Sequence, residues 1–383
     1  MGWSRAAWGI GAAIAASIAF TSAAYGVNSH ANARAVCPGP VADHARCHVL
    51  VTTDRNGNPK ATSAPTGLSP ATVKSVYGFP TSSTAGAGKT IAIVDAYDDP
   101  TAEKDLGVFS SHYGLPACTT ANGCFRKVNQ NGGTSYPRKD PGWALEISLD
   151  VQWAHAIAPG AKILLVEAAS NSFSNLLAAE DYAKTHAQYV SNSWGAPEFS
   201  SERSYDSHFA QGGASFFVSA GDAGLPAEYP SSSPNVVSVG GTTLHFGSNG
   251  AFTGETGWSD GGGGCSVYET ATAAQSAFSQ YPQVGCGGKR ATPDVSLDGD
   301  PSSGVSVYDS TRYQGQIGWY KVGGTSASAP MWAGRSAVAG TTVNAASIYA
   351  SNTITFRDIV SGNNGASCLV GFDLCTGRGS WVG

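Results

Sequence analysis

The sequence predicts an α/β fold in which helices flank a central, mainly parallel β-sheet. Short, continuous apolar segments rich in β-branched residues recur along the chain, as in TIAIV at positions 90–94. Such segments are typical of strands buried on both faces of a parallel sheet. Longer segments with helical patterns separate them, and this alternation favours parallel strand pairing.

The predicted elements follow one another in a regular order. A short helix begins after Ser69, a favoured capping residue, and Pro70 suits its first turn. Further strands are predicted at 161–168, 188–195, 214–222, 235–242 and 305–309, and helices at 101–114, 141–158 and 174–187. Because active sites lie at the carboxyl ends of parallel strands, the segments to inspect end at Asp95, Ser193–Gly195, Gly221–Asp222 and Gly324–Ser326.

The N-terminal segment has the features of a secretory signal. One arginine precedes an apolar segment at 6–20, and small residues follow at 22–24. The apolar segment is shorter than the ~20 residues that a membrane-spanning helix needs, although a membrane anchor is the alternative. We therefore expect a signal peptide at 1–24, a short surface arm at 25–65 and one domain at 66–383 of a secreted protein.

The eight cysteines fall into four pairs that are close in sequence. An even number of cysteines behind a signal peptide favours disulfides. Local pairing is the simplest of the many possible connectivities. It predicts bridges between Cys37 and Cys47, Cys118 and Cys124, Cys265 and Cys286, and Cys368 and Cys375.

Ser326 is the first candidate catalytic residue. It lies in GGTSASAP at 323–330, between a predicted strand and an alanine-rich predicted helix. A helix start offers N–H donors and the positive end of the helix dipole, which suit a developing oxyanion. Serine and threonine are also ordinary helix caps, and the motif alone leaves both interpretations open.

A serine nucleophile needs a base, which is usually a histidine. None of the eight histidines is followed by glycine, so the sequence lacks the histidine motif that subtilisin uses. Only His155 and His208 lie in plausible core regions, where a packed or surface role is favoured. A Ser-His-Asp triad is therefore unsupported.

Carboxylates are the other candidate bases. Glu146 and Asp150 are four residues apart in a predicted helix, which places both on one face. Because their flanks are apolar on every side, we interpret them as a buried, proton-sharing pair rather than a solvated edge. Asp222 follows a predicted strand, where a protonated carboxyl could donate to an oxyanion; taken alone, a turn aspartate is favoured.

The sequence resembles the sedolisin family of serine-carboxyl peptidases in motifs spread over residues 66–379: ALEISLD, SNSWG, SAGDAG, GGTSASAP, and the acidic segments near DIVSG and GFDLCTG. The resemblance implies a three-layer subtilisin-like fold and a Ser-Glu-Asp triad in a catalytic domain at 66–383. It implies that Ser326 is the nucleophile and Glu146 the general base and acid. Asp150 would orient Glu146, and Asp222 would stabilise the oxyanion. Asp95 and Trp194 match an outer hydrogen-bond network behind the triad.

The same resemblance implies two binding sites. Ser193, Trp194 and Gly195 would line a substrate cleft, where an extended peptide pairs with a strand edge. One calcium ion near the C-terminus would be held by carboxylates and backbone carbonyls, which are oxygen ligands that calcium prefers. The residues at the matching positions are Asp358, Ile359, Leu369, Gly371 and Asp373.

The sequence therefore predicts a secreted, monomeric endopeptidase that acts on peptides or unfolded proteins, best at acid pH. Nucleic acid is not an expected partner, because only 13% of the residues are charged, the net charge is −5 and no basic stripe is present. After signal removal, no membrane association is expected. Two alternatives stay open: a subtilisin-type Ser-His-Asp peptidase, and a catalytically inactive binding or adhesion protein on the same fold.

Overall fold

The computed structural model describes residues 1–2, 32–210, 213–350 and 354–383. The predicted signal peptide lies outside the described residues, except for Met1 and Gly2. Within these ranges, no helix combines the length and the apolar character that crossing a membrane requires.

Helices and strands alternate along the described chain. The α-helices are α1 (Pro70–Tyr77), α2 (Ala102–Tyr113), α3 (Pro141–Ile157), α4 (Phe173–His186), α5 (Ala273–Ala277), α6 (Thr325–Ala339) and α7 (Ala345–Ala350), and two 3₁₀ helices span Glu202–Phe209 and Tyr281–Val284. The strands are β1 (Ala33–Ala35), β2 (Arg46–Cys47), β3 (Leu50–Thr52), β4 (Thr90–Ala96), β5 (Phe125–Asn129), β6 (Lys162–Ala168), β7 (Tyr189–Asn192), β8 (Trp194–Pro197), β9 (Ser215–Ser219), β10 (Glu228–Tyr229), β11 (Val237–Phe246), β12 (Phe252–Gly257), β13 (Gly264–Thr270), β14 (Lys289–Thr292), β15 (Val295–Asp298), β16 (Val305–Tyr313), β17 (Gln316–Gly323), β18 (Phe356–Arg357) and β19 (Ser380–Trp381).

The central sheet has ten strands, counted over the described residues. β4 pairs in parallel with β6 on one side and with β7 on the other. The parallel pairing continues through β5 beyond β6, and through β9, β11, β15 and β19 beyond β7. Antiparallel pairs lie towards one end, where β12 joins β11 and β18 joins β19. The prediction of a mainly parallel central sheet flanked by helices is confirmed.

Helix α3 is buried along almost its whole length. Every residue from Gly142 to Ile157 is buried, because the sequence is apolar on all faces of the helix. Asp140 fixes its start by accepting the N–H groups of Gly142 at 2.9 Å and Trp143 at 3.1 Å. α3 packs against α6, so side chains of these two helices meet inside the protein.

Most of the predicted elements match the structure, and one prediction is wrong. The segments at 161–168, 188–195 and 214–222 contain β6, β7 and β9, and the segment at 235–242 covers the first part of β11. Ser69 caps α1 through the N–H of Thr72. The segment at 305–309 belongs instead to β16, which pairs antiparallel with β17 outside the central sheet. Gln314 and Gly315 between these strands both have positive φ angles. Such a tight turn returns the chain alongside itself, whereas a parallel strand would need a longer crossover.

All four predicted disulfides are present: Cys37–Cys47, Cys118–Cys124, Cys265–Cys286 and Cys368–Cys375. Each bridge joins residues at most 21 positions apart. They staple individual loops, and the parallel sheet joins the distant parts of the chain.

The segment predicted as a surface arm, residues 25–65, is partly buried in the structure. Val49 and Val51 are fully buried, and the strands of this segment pair with the main body. β2 pairs with β8, and β3 pairs with β17. The apolar stretch Val49-Leu50-Val51 explains the correction, because burial of such side chains is favourable. We call residues 32–53 the arm from here on.

Candidate active site

Ser326 lies in the first turn of α6 and is fully buried. The N-cap position of this helix is Gly324, and no side chain caps it. The interpretation of Ser326 as a helix cap is therefore wrong. Its hydroxyl lies 3.5 Å from the carbonyl oxygen of Ser193, which is a weak contact. Its oxygen is thus held at the helix start without a strong structural hydrogen bond.

Three carboxyl groups form a fully buried cluster near Ser326: Glu146 and Asp150 on α3, and Asp95 on β4. Asp150 accepts a hydrogen bond from the Ser193 hydroxyl at 2.9 Å. Among the residues that the structure describes, no group hydrogen-bonds to either oxygen of Glu146 or Asp95. A buried, ionised carboxylate without a partner is costly, so the cluster favours protonated forms.

The pKa values of all three carboxyl groups are raised well above their usual range, and burial is the largest cause. The charges of Asp150 and Asp95 raise the pKa of Glu146 further, whereas the nearby Ser326 hydroxyl lowers it. For Asp150, the Ser193 hydroxyl partly offsets the effect of burial. Groups that interact this strongly titrate as a unit. The cluster can therefore hold, release or take up a proton beside Ser326.

Asp222 lies just after β9, next to the start of α6. Its Oδ1 accepts the N–H of Thr325 at 2.7 Å and the Thr325 hydroxyl at 2.9 Å. Burial raises the pKa of Asp222 to about 6, although His48 and Thr325 favour its charged form. Oδ2 is buried, and no hydrogen bond to it is found in the described ranges. When protonated, Oδ2 could donate a hydrogen bond to a nearby oxygen.

Ser193 joins β7 to β8, and Trp194 and Gly195 are the first residues of β8, beside this cluster. The Trp194 indole donates to the Val94 carbonyl at 2.9 Å. It therefore bonds to the backbone of β4 and not to a carboxylate, which differs from the expected network with Asp95. The Ser193 hydroxyl is the group that contacts Asp150, a role that the sequence reasoning missed.

The arm lies along the strand edge that was predicted to line the substrate cleft. β2 pairs antiparallel with β8, with Arg46 opposite Gly195 and Cys47 opposite Trp194. The N–H of His48 then donates to the carbonyl of Ser193 at 3.1 Å. Residues 46–48 thus adopt the extended, edge-paired geometry that peptides use in β-strand addition.

The backbone of the arm also comes very close to Gly324. A Cβ atom added to Gly324 would lie 1.8 Å from the carbonyl oxygen of His48 and 2.7 Å from Oδ2 of Asp222. Gly324 has φ +101 and ψ 160, a conformation that is almost exclusive to glycine. The residue two positions before Ser326 is therefore glycine because a carbonyl group passes against it.

The histidine that lies at this strand edge is one that sequence reasoning passed over. His48 is 1% exposed, and its imidazole contacts Ser219 and Glu228. His155 bonds to the Pro116 carbonyl at 2.9 Å, and His208 pairs with Asp181. The apolar residues after His48 were the only signal in the sequence that this segment is buried.

The sequence profile of the Subtilase family matches residues 128–356. The chain belongs to the subtilase family. The matched range contains Glu146, Asp150, Asp222 and Ser326, whereas Asp95 precedes it.

The relatives of this subtilase confirm the resemblance to sedolisins. Kumamolisin from Bacillus sp. (strain MN-32) is 31% identical over 364 residues, which cover 84% of this chain and 63% of kumamolisin. Sedolisin from Pseudomonas sp. (strain 101) is 29% identical over 391 residues, which cover 88% of this chain and 63% of sedolisin. The subtilase described here thus spans less than two thirds of the length of these relatives.

A solved structure supports the same relationship. The structure of Pseudomonas sedolisin, a serine-carboxyl proteinase, in complex with two molecules of pseudo-iodotyrostatin has a TM-score of 0.69 and 28% identity to this subtilase. The match covers 83% of this chain and 96% of that one. The predicted subtilisin-like fold is therefore confirmed.

The residues predicted to hold calcium do not form an oxygen cage in this subtilase. Asp373 accepts the N–H groups of Leu369, Cys375 and Thr376 at 2.7–3.0 Å. Asp358 accepts the N–H of Gly371 at 2.8 Å. Calcium needs six or more oxygen ligands, whereas here N–H donors face the carboxylates.

A disulfide closes the same loop. Cys368 and Cys375 bracket the second half of the predicted calcium site, and Ile359 in the first half is buried. The residues as arranged do not fit the ion, and no mechanistic step is derived through it.

Proposed function

We propose that this subtilase is a serine-carboxyl endopeptidase that hydrolyses bonds in peptides or unfolded proteins. One observation carries the proposal. An extended backbone, that of the arm, already pairs with β8 and brings the carbonyl of His48 against Gly324, which adjoins Oδ2 of Asp222 and lies two residues before Ser326. The names of kumamolisin and of sedolisin, a serine-carboxyl proteinase, support the same chemistry.

In the proposed reaction, Glu146 takes the proton of the Ser326 hydroxyl as Oγ attacks the substrate carbonyl. Asp150 shares a proton with Glu146 and is held in place by Ser193. Protonated Asp222 donates a hydrogen bond from Oδ2 to the oxyanion, while Oδ1 stays bound to Thr325. Glu146 then gives its proton to the leaving amine, and water hydrolyses the acyl-enzyme through the same groups.

This assignment requires acid pH. Asp222 can donate only when it is protonated, and its pKa is raised to about 6. Glu146 must be ionised while another group of the cluster keeps a proton. This state is accessible because Glu146 and Asp150 titrate as a unit. We therefore propose activity below about pH 6, in an exported protein as the N-terminal signal sequence indicates.

The two alternative functions, a subtilisin-type peptidase and an inactive binding protein, require different groups at this site. A subtilisin-type triad needs a histidine beside Ser326, but both ring nitrogens of His48 are already engaged by Ser219 and Glu228. His155 is engaged by a backbone carbonyl. An inactive binding protein would need neither an unpartnered, buried Glu146 nor a raised pKa at Asp222.

Digestion of casein or haemoglobin between pH 3 and 5 tests the proposal. We expect Ser326→Ala to lower the rate by about 10⁴-fold or more, because the triad acts as a unit. Ser336→Ala is the matched control, since Ser336 is buried on the same helix, and it should digest at the wild-type rate. A wild-type protein that digests neither substrate at any pH would contradict the proposed function.

A further inference from the structure

Two basic side chains of the arm share one acidic partner beside the cleft. Nη2 of Arg46 lies 2.8 Å from Oε1 of Glu228, and Nε2 of His48 lies 2.9 Å from Oε2. Nδ1 of His48 contacts the Ser219 hydroxyl at 2.7 Å. The His48 side chain is fully enclosed, and that of Glu228 is 9% exposed. This arrangement is a side-chain pocket for the residue whose carbonyl lies against Gly324, two residues before Ser326.

Glycines form two walls of this pocket. A Cβ atom at Gly195 would lie 2.9 Å from Cε1 of His48, and one at Gly221 would lie 3.0 Å from Cδ of Glu228. Larger residues there would displace the imidazole or the carboxylate. The pocket therefore has room for a broad basic side chain only because Gly195 and Gly221 have no side chains.

The charge of the pocket depends on the arm. In the described part of the chain, both ion-pair partners of Glu228 belong to the arm. Burial raises the pKa of Glu228, but Arg46 and then His48 outweigh it and lower the pKa to about 2. Without these cations, an enclosed carboxylate would lose its compensation, which is costly. A substrate that displaces the arm compensates the charge of Glu228 if it carries cationic side chains of its own.

The spacing of the two basic residues matches an extended substrate. Residues two positions apart on a strand point to the same side, so Arg46 and His48 both reach Glu228 while Cys47 points away. The same register would place any substrate side chain at these two positions over the carboxylate.

We propose that Glu228 makes the enzyme select peptides with a basic side chain on the residue whose carbonyl is attacked, and a second basic side chain two residues before it. Histidine counts as basic here, because it is cationic at the acid pH of the proposed reaction. The inference rests on the proposed peptidase function and adds the substrate class to it.

The test uses the acid-incubated full-length protein and fluorogenic peptides that differ at one position. The residue before the cut is His, Arg, Lys, Leu or Glu in otherwise identical sequences, and kcat/KM is measured for each. We expect His, Arg and Lys to exceed Leu by about ten- to hundredfold, the value of a charged hydrogen bond. Replacing a basic residue two positions earlier by Ala should lower kcat/KM by a smaller factor.

Glu228→Gln keeps the shape of the side chain and removes its charge. We expect this variant to reduce the preference for basic over Leu peptides to less than about threefold. Glu255→Gln is the matched control, because Glu255 is also buried and paired with an arginine, Arg357, away from the cleft. It should keep the wild-type preference. Ratios of kcat/KM within one variant do not depend on the fraction that is folded.

The outcomes separate the two proposals. A wild type that cleaves Leu or Glu peptides as well as basic ones would overturn the role of Glu228 and leave the peptidase function standing. A preference that survives Glu228→Gln would overturn it as well. A wild type that cleaves none of the peptides, nor casein, would refute the peptidase function itself.

Discussion

Replacing Gly324 by alanine tests the placement of the attacked carbonyl. The new Cβ would lie 1.8 Å from the His48 carbonyl oxygen, and ordinary contacts begin at about 3.4 Å. The carbonyl must therefore move by more than about 1 Å, and a displacement of that size costs about 10²-fold in rate. We expect Gly324→Ala to lower kcat/KM for a peptide by at least about 10²-fold, because any substrate carbonyl would meet the same methyl group.

The matched control is Gly340→Ala at the other end of the same helix. Gly340 also has a positive φ, of 70°, but an added Cβ there would meet only Lys89 at 3.7 Å. Both variants should lose stability, by about 1–3 kcal/mol, as thermal unfolding would show. Only Gly324→Ala should lose activity. Wild-type kcat/KM in Gly324→Ala would refute the assignment of this cleft to the reacting carbonyl.

Activity should fall about tenfold per pH unit above about pH 6, as Asp222 ionises and can no longer donate, and an optimum above pH 8 in a kcat/KM profile would contradict the assignment. At pH 4 the protein should cut itself between His48 and Val49, and N-terminal sequencing would detect the new end. The Ser326→Ala variant should stay intact under the same conditions. Cleavage of that variant would show that another protease makes the cut. Chelation of calcium should leave the Tm unchanged, whereas Cys375→Ser should lower the free energy of unfolding by about 2 kcal/mol. A large decrease in Tm on adding the chelator alone would show that the protein binds calcium after all.

The sequence supported the parts of the site that local patterns encode. The four-residue spacing of Glu146 and Asp150 in an apolar helix indicated a buried pair, and both are fully buried on α3. The short cysteine spacings indicated the correct disulfides. These features depend on neighbours in the chain, so periodicity and spacing were sufficient.

The parts that sequence reasoning missed depend on long-range pairing. β2 lies opposite β8, about 150 residues further along the chain, and no local pattern in residues 46–48 specifies that edge. Glu228 gave no signal, because its role depends on Arg46 and His48, which come from a different part of the chain. The Trp194 indole bonds to a backbone carbonyl, and a motif that names only side chains does not specify such a partner.

Because of the strand pairing of the arm, cleavage of the arm and release of its N-terminal fragment are separate events. The bond between His48 and Val49 lies between β2 and β3, yet β1, on the far side of the bond, pairs with β3. The Cys37–Cys47 bridge ties the segment that follows β1 to β2. A cut at this bond would therefore leave the N-terminal fragment attached through both β3 and β8. The fragment would persist as a bound reaction product, and activity would rise with its dissociation, later than the cleavage that sequencing detects.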